Sequence, residues 1–393
     1  MKISLLTVAA VALAAGCASE PDRAPRTMED LMAARQADDL ARANSARHLS
    51  EQLMQRAERK AKAAKPGGPR PTIDMLVISG GGDWGAFGAG VLKGWGRVKG
   101  EFARPQFDAV TGVSTGAMIA PFAFLGDDEA IERIVRLYRN PKPDWTKSRG
   151  LVFFWPSNQS FFALPGLERE MRESLDRAML ERIAAEGASG RVLAVNTTNI
   201  DLGDSRPWDL IAEARAELAG GEPGRVQRIL LASAGIPAIF PAREIGTFLY
   251  VDGAITGNIL YGARIDDEDS LPVLFRKRNP NTPLPRLRYW VIFNNQFRFP
   301  PQVTPEKWPD IMSRATIMAT QTGTVAAMRH LFARAELIHL KQKVDVEVRV
   351  MAVPDSFVPS APGTFQKEVM NALADLGEKM GADPASWRDT PPE

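Results

Sequence analysis

From Asp74 onward, apolar runs of strand length alternate with helical stretches. Met75-Leu76-Val77-Ile78 is a continuous apolar run, the pattern of a strand buried on both faces of a parallel sheet. It runs into the loop Gly80-Gly81-Gly82-Asp83-Trp84-Gly85, and a helix is expected behind that loop from Ala86 to Trp95. A second strand is predicted from Phe107 to Gly112 and a second helix from Ala117 to Leu125, with a kink expected at Pro121. Later strands are predicted at 192–196, 248–251, 289–293 and 344–350. This alternation predicts an α/β fold with a central, mostly parallel sheet covered by helices on both faces. No internal repeat is visible.

The region ahead of Asp74 reads differently. Residues 27–65 are rich in Ala, Arg, Glu, Gln and Leu, with Thr27 and Asp30 placed to form a capping box, and predict one long helix. Its apolar positions are sparse, so it is read as a solvated helix, packed loosely on the body or acting as a spacer. Pro66, Gly67, Gly68, Pro69 and Pro71 then break regular structure, and a domain boundary is placed there.

The extreme N-terminus carries Lys2, a mostly apolar stretch from Ile3 to Ala15, small residues up to Gly16, and then Cys17, the sole cysteine. The stretch is shorter than the roughly 20 residues that span a bilayer. It resembles a bacterial lipoprotein signal, although Ala14 stands where Leu is commoner. The resemblance implies cleavage before Cys17 and lipidation of its thiol; Ala18 behind it implies sorting to the outer membrane. An ordinary cleaved secretory signal with an incidental cysteine is the alternative. The resulting division is a signal peptide over 1–16, a lipidated tether and helix over 17–71, a catalytic body over 72–360, and a C-terminal helix and tail over 361–393.

Composition narrows the function classes. The chain has 393 residues, 45% of them hydrophobic, enough for a large unstapled core, and its net charge of +2 leaves no electrostatic footprint for nucleic acid. Nothing resembles a calcium loop or a zinc triad, so no metal or cofactor is expected.

The candidate chemistry lies in two glycine-bounded turns. Gly112-Val113-Ser114-Thr115-Gly116 is a G-x-S-x-G turn between a buried strand and a small-residue helix, a setting that exposes a serine hydroxyl at a helix N-terminus. Gly80 to Gly82 offer consecutive bare N–H groups able to converge on an oxyanion. Gly80 to Gly85 also spells G-x-G-x-x-G, a dinucleotide-binding pattern. That rival needs an acidic residue at the end of the next strand, but Asp108 stands near the strand's start, and it leaves Ser114 unexplained. For a base, a Ser, acid, His order ending in His330 or His339 stays open. So does Asp252, which ends an apolar strand ahead of Gly253 and Ala254. A histidine base would make activity fall near pH 6.5.

The glycine-rich loop, the G-x-S-x-G turn and the D-G-A triplet, in this order, resemble the patatin-like phospholipases, as does the segment from Ala232 to Pro241. The resemblance runs from Asp74 to Phe293. It implies a three-layer α/β fold and hydrolysis of carboxylic esters of lipids by a Ser–Asp dyad with no catalytic histidine. Carried over, Ser114 is the nucleophile, Asp252 the base, and the backbone of Gly80, Gly81 and Gly82 the oxyanion hole, with Gly85, Gly112, Gly116 and Gly253 as motif glycines. Its partners are a membrane lipid or acyl-ester substrate and, through Cys17, the membrane.

The chain departs from the family pattern at Trp84, where Lys or Arg is common, and behind Asn258, where a Pro is missing. Asp83 is read as a cap of the following helix. A soluble-ester esterase or thioesterase and a non-catalytic lipid-binding envelope lipoprotein are the alternatives. The aromatic run Phe153-Phe154-Trp155, with Phe161 and Phe162, is read as core. Asn196 and Trp208 carry no assignment.

Overall fold

A computed structural model describes residues 23, 26–65, 67–150, 158–262 and 270–393. Cys17 and the aromatic run at 153–155 lie outside the described residues. The body is built on an eight-stranded sheet. Its parallel part runs β10 (Val346–Ala352), β9 (Arg286–Phe293), β1 (Thr72–Ile78), β2 (Ala109–Val113), β5 (Val192–Asn199), each strand paired in parallel with the next. Side chains alternate between the two faces of these strands. Leu76, Ile78, Trp290 and Ile292 enter one core, whereas Met75, Val77, Tyr289 and Val291 enter another. Helices close both cores, as continuous apolar strands require.

On the first face lie α2 (Gly85–Trp95), α3 (Thr115–Leu125), α4 (Asp128–Arg139) and the last helix, Lys367–Gly381. The second face is covered by α10 (Trp308–Gln342), the helix Leu271–Arg278 and the far half of α1 (Met28–Ala63). The three-layer expectation therefore holds. α3 continues through Pro121 to Leu125. The helix Lys367–Gly381 is part of the body: a methyl on Gly377 would lie 2.1 Å from the Phe87 carbonyl oxygen, so its backbone sits directly against α2. Trp387, beyond it, packs tilted against Trp95 and edge-on against Trp290. A boundary at 360 thus cuts through continuous packing.

α1 carries the expected capping box between Thr27 and Asp30. Its docking is firmer than sparse apolar positions imply, because Met54 and Ala57 are buried and Arg56 and Lys60 both bond the buried Asp108 carboxylate.

Three antiparallel strands complete the sheet and set the geometry of the site. β6 (Asp204–Asp209) lies along one edge of β5, opposite residues 194–199. β2 overlaps that stretch of β5 and therefore occupies the other edge, with Val113 opposite Asn196 as its last pair. β8 (Phe248–Asp252) also overlaps β6 on β5, pairing Asp252 with Thr197 and Tyr250 with Asn199. It must share the edge used by β2. β2 and β8 therefore meet head to head on one side of β5. β7 (Arg243–Ile245) folds back on β8 as a hairpin beyond the carboxyl end of the parallel strands.

Candidate active site

The head-to-head register brings Ser114, one residue past Val113, against Asp252, the last residue of β8. The Ser114 hydroxyl donates to Asp252 Oδ2 at 2.7 Å, and both side chains are buried. Ser114 adopts φ 54° and ψ −123°, a conformation costing a non-glycine residue about 1–3 kcal/mol. The flanking glycines make this turn possible. A methyl on Gly112 would fall 2.2 Å from the Gly116 carbonyl oxygen, and one on Gly116 would fall 2.2 Å from that of Ile78. Gly85 and Gly253 are similarly confined, by Thr115 and by the Asn196 carbonyl.

One short segment fastens both halves of the pair. Ser233 Oγ accepts the Ser114 N–H at 2.9 Å while donating to the Asn196 carbonyl, and the Gly235 carbonyl accepts the Asp252 N–H. Asn196 Nδ2 in turn donates to the carbonyls of Gly253 and Gly257 and holds the turn behind the carboxylate.

Asp252 has a second neighbour, the Ala254 N–H on Oδ1 at 2.8 Å, and no cation of the described residues bonds it. Burial raises its pKa to about 7, because the charged form loses water and gains only a hydroxyl and one amide.

The glycine loop reaches the same spot, since β1 and β2 are parallel neighbours and both loops leave their carboxyl ends. A methyl on Gly80 would lie 2.9 Å from Ser114 Cβ. One expectation needs correction here. The Gly80 N–H already donates to Asn258 Oδ1 at 2.8 Å, so Gly80 is committed to holding the loop. The Gly81 and Gly82 N–H groups donate to no atom of the described residues and remain the free donors. Asn258 is oriented by Thr324 of α10, and Asn294 grips Ser79 and Gly88.

Asp83 does not cap α2. Its carboxylate accepts the Phe365 N–H at 2.8 Å, and burial raises its pKa. Trp84 packs edge-on against Phe357.

Beside Ser114 opens an apolar slot of about 30 Å³, lined by Met118, Leu137, Leu164, Leu167, Phe240 and Phe365. At that size it admits about one water, so an acyl chain enters only if these side chains move. A wider concavity of about 900 Å³ lies elsewhere, walled by ion pairs such as Arg286–Asp345, with neither Ser114 nor Asp252 in it.

The three histidines are engaged elsewhere: His48 with Gln52, His330 with the Tyr261 hydroxyl, His339 with the Val344 carbonyl. Among the described residues no cluster of three metal-ligating side chains occurs. Phe162 packs against the core, as expected of that aromatic group. Asn294 carries much of the site's scaffolding without a sequence signal of its own, whereas Ser233 lies in the segment ahead of Asp252 and Asn258 is the Asn of the stretch behind it.

A hydroxyl bonded to an uncompensated carboxylate, beside a glycine loop with two free N–H groups and an apolar slot, is chemically equipped for acyl transfer. Residues 76–263 match the family model described as patatin-like phospholipase. No curated protein matches the chain. Among solved structures it is similar to VipD from Legionella pneumophila, with 11% identity over 82% of this chain and 68% of that one at a TM-score of 0.39. It is also similar to the type III effector protein ExoU, with 15% identity over 80% and 53% and a TM-score of 0.27. At those scores neither likeness bears on fold or chemistry. The family match, spanning the glycine loop, the Ser114 turn and Asp252, places this segment of the chain in the patatin-like phospholipase family.

Proposed function

We propose that the protein is a lipid acyl hydrolase that cleaves carboxylic esters with Ser114 and Asp252 and without a histidine. The observation that carries this reading is the 2.7 Å hydrogen bond from Ser114 Oγ to a buried aspartate that has no ion-pair partner among the described residues. Asp252 Oδ2 takes the hydroxyl proton as Ser114 Oγ bonds to the ester carbonyl carbon. The oxyanion meets the N–H groups of Gly81 and Gly82 and the N-terminal end of α3. The intermediate collapses, the alcohol departs with the proton held by Asp252, and the acyl group stays on Ser114. Water then attacks the acyl-serine while giving a proton to Asp252, which returns it to Ser114 Oγ as the bond to the acyl carbon breaks and the acid is released. No step needs a metal. A carboxylate pushed to about 7 is a far better proton acceptor than one at its ordinary value of 3.8.

The apolar lining of the slot favours an acyl chain over a polar acid. Cys17 as a diacylated and N-acylated anchor, and the outer membrane as its destination, complete the reading, since two or more chains give stable attachment. The test is reaction with a fluorophosphonate probe followed by mass analysis of consumed lipids. Labelling confined to Ser114 and loss of intact phospholipid are expected. Labelling elsewhere, or none on folded protein, contradicts it. For the anchor, Cys17→Ser should abolish incorporation of labelled fatty acid; unchanged incorporation contradicts that part alone.

A further inference from the structure

α10 is buried only from Gln321 onward, where Gln321 Nε2 donates to the Gln296 carbonyl and Thr324 accepts from Asn258. It follows β9, which ends at the carboxyl edge of the sheet, and leads to β10, which starts at the amino edge. Its first half therefore points outward past the site, by about 20 Å at 1.5 Å per residue. This projection is apolar where solvent should favour polar residues. Trp308, Ile311 and Met312 are 65%, 52% and 59% exposed, and Val303 in the loop beside them is 97% exposed. Ile200 and Ile255, just past the ends of β5 and β8, are exposed at the same edge of the sheet.

The start of the described chain reaches that edge as well. Arg23 forms a two-pronged ion pair with Asp201, just past β5, and also donates to the Thr247 carbonyl in the turn of the β7–β8 hairpin. The residues between Cys17 and Arg23 extend at most roughly 20 Å. A lipid on Cys17 would thus hold the carboxyl edge, with Ser114, close to the bilayer. Trp308 suits the water–lipid boundary, and the charges beside it balance, Lys307 and Arg314 against Glu306 and Asp310, with Arg314 bonded to the Pro300 carbonyl over the Phe299 ring, so apolar insertion carries the contact. No described helix is long and apolar enough to cross a membrane, which fits an element lying in the interface.

We propose that the carboxyl edge of the sheet is a docking face for a phospholipid bilayer, with the outer half of α10 as the part that inserts. The inference rests on the anchor and hydrolase reading above: the enzyme would meet its substrate in the membrane that holds it. A bilayer is favoured over a second copy of the chain because the short tether points this edge at lipid.

The test uses the full chain carrying Cys17→Ser and Ser114→Ala, with one new cysteine, Ile311→Cys or Leu340→Cys, bearing an environment-sensitive dye. The probe is vesicles of phosphatidylethanolamine and phosphatidylglycerol. Position 311 should shift to the blue with vesicles, while position 340, exposed on the inner half of the same helix, should not. An unchanged dye at 311 overturns the proposal. So does a shift without vesicles that grows with protein concentration alongside a dimer, which would make a second copy the occupant. In the otherwise unmodified chain, Ile311→Glu with Met312→Glu should leave hydrolysis of a dissolved short-chain nitrophenyl ester unchanged and lower vesicle phospholipid hydrolysis at least about tenfold. Equal loss on both substrates counts against docking. If the unmodified chain cleaves neither, the hydrolase reading fails while the dye result still decides the docking face.

Discussion

Two aspartates, equally buried at opposite edges of one sheet, have been given different surroundings. Asp108, at the amino edge ahead of β2, is bonded by Arg56 at 2.9 Å, by Lys60 at 2.5 Å and by the Asp74 N–H. Asp252, at the carboxyl edge, has a serine hydroxyl and one amide. The first carboxylate has two cations in place of its lost water and fastens α1 to the sheet. The second has none, and its pKa rises to about 7. Burial alone therefore does not mark a reactive carboxylate, and neither does burial without a counter-charge, which Asp83 shares; what sets Asp252 apart is the serine hydroxyl bonded to it.

Exchanging each carboxylate for an amide should have the largest and most different effects. Asp252→Asn should lower the rate about 10²–10⁴-fold, because the amide cannot accept the Ser114 proton. Asp108→Asn should leave activity per folded molecule intact but destabilise the protein by about 3–5 kcal/mol, since it strands two partly buried cations. Kinetics on the nitrophenyl ester beside denaturant unfolding separate the two outcomes, and the reverse pairing contradicts the assignment.

The pH dependence sharpens it. Asp252 must be ionised to act, so kcat/KM should fall about tenfold per unit as pH drops below about 7. A limb near 6.5, expected of a histidine base, consequently cannot distinguish the two, and the substitutions have to. The same shift has a sign for stability. The folded-state pKa lies above the unfolded value of 3.8, so the native state is favoured below 3.8 and that advantage is lost as pH rises through 7. Asp252→Asn, which carries no charge, should therefore gain stability over the unsubstituted protein between pH 4 and pH 8, by a few kcal/mol at about one per pH unit. Thermal unfolding at the two pH values measures this; no difference contradicts the raised pKa.

Smaller effects belong to the turn. Ser114→Gly should relieve the positive φ and stabilise the fold by about 1–2 kcal/mol, whereas Ser114→Ala keeps the strain, and both should be inactive. Equal unfolding midpoints for the two variants would show that the turn is unstrained.

The sequence made some of this legible because the signals are local. A buried apolar run ending in G-x-S-x-G specifies the strand, the turn and the helix behind it, and Gly112 and Gly116 sit where any side chain would strike backbone. β6 and β7 escaped notice for an equally local reason. Asp204–Asp209 is mostly polar and contains Pro207, tolerable because it is an edge strand, and Arg243–Ile245 is too short to show a pattern. The meeting of β2 and β8 depends on register across β5, a long-range property. The bonds of Asn258 to Gly80 and of Asp83 to Phe365 join residues 178 and 282 apart, and no spacing rule reaches that far.

Asp252, and no histidine, is the group expected to activate Ser114. The most direct measurement is the rate of fluorophosphonate labelling in two variants verified as folded by circular dichroism: Asp252→Asn, and the triple variant His48→Ala, His330→Ala, His339→Ala. The triple variant should label at Ser114 within a few-fold of the unsubstituted protein, while Asp252→Asn should label at least about 100-fold more slowly. A folded triple variant that fails to label, beside Asp252→Asn labelling at full rate, would contradict this assignment.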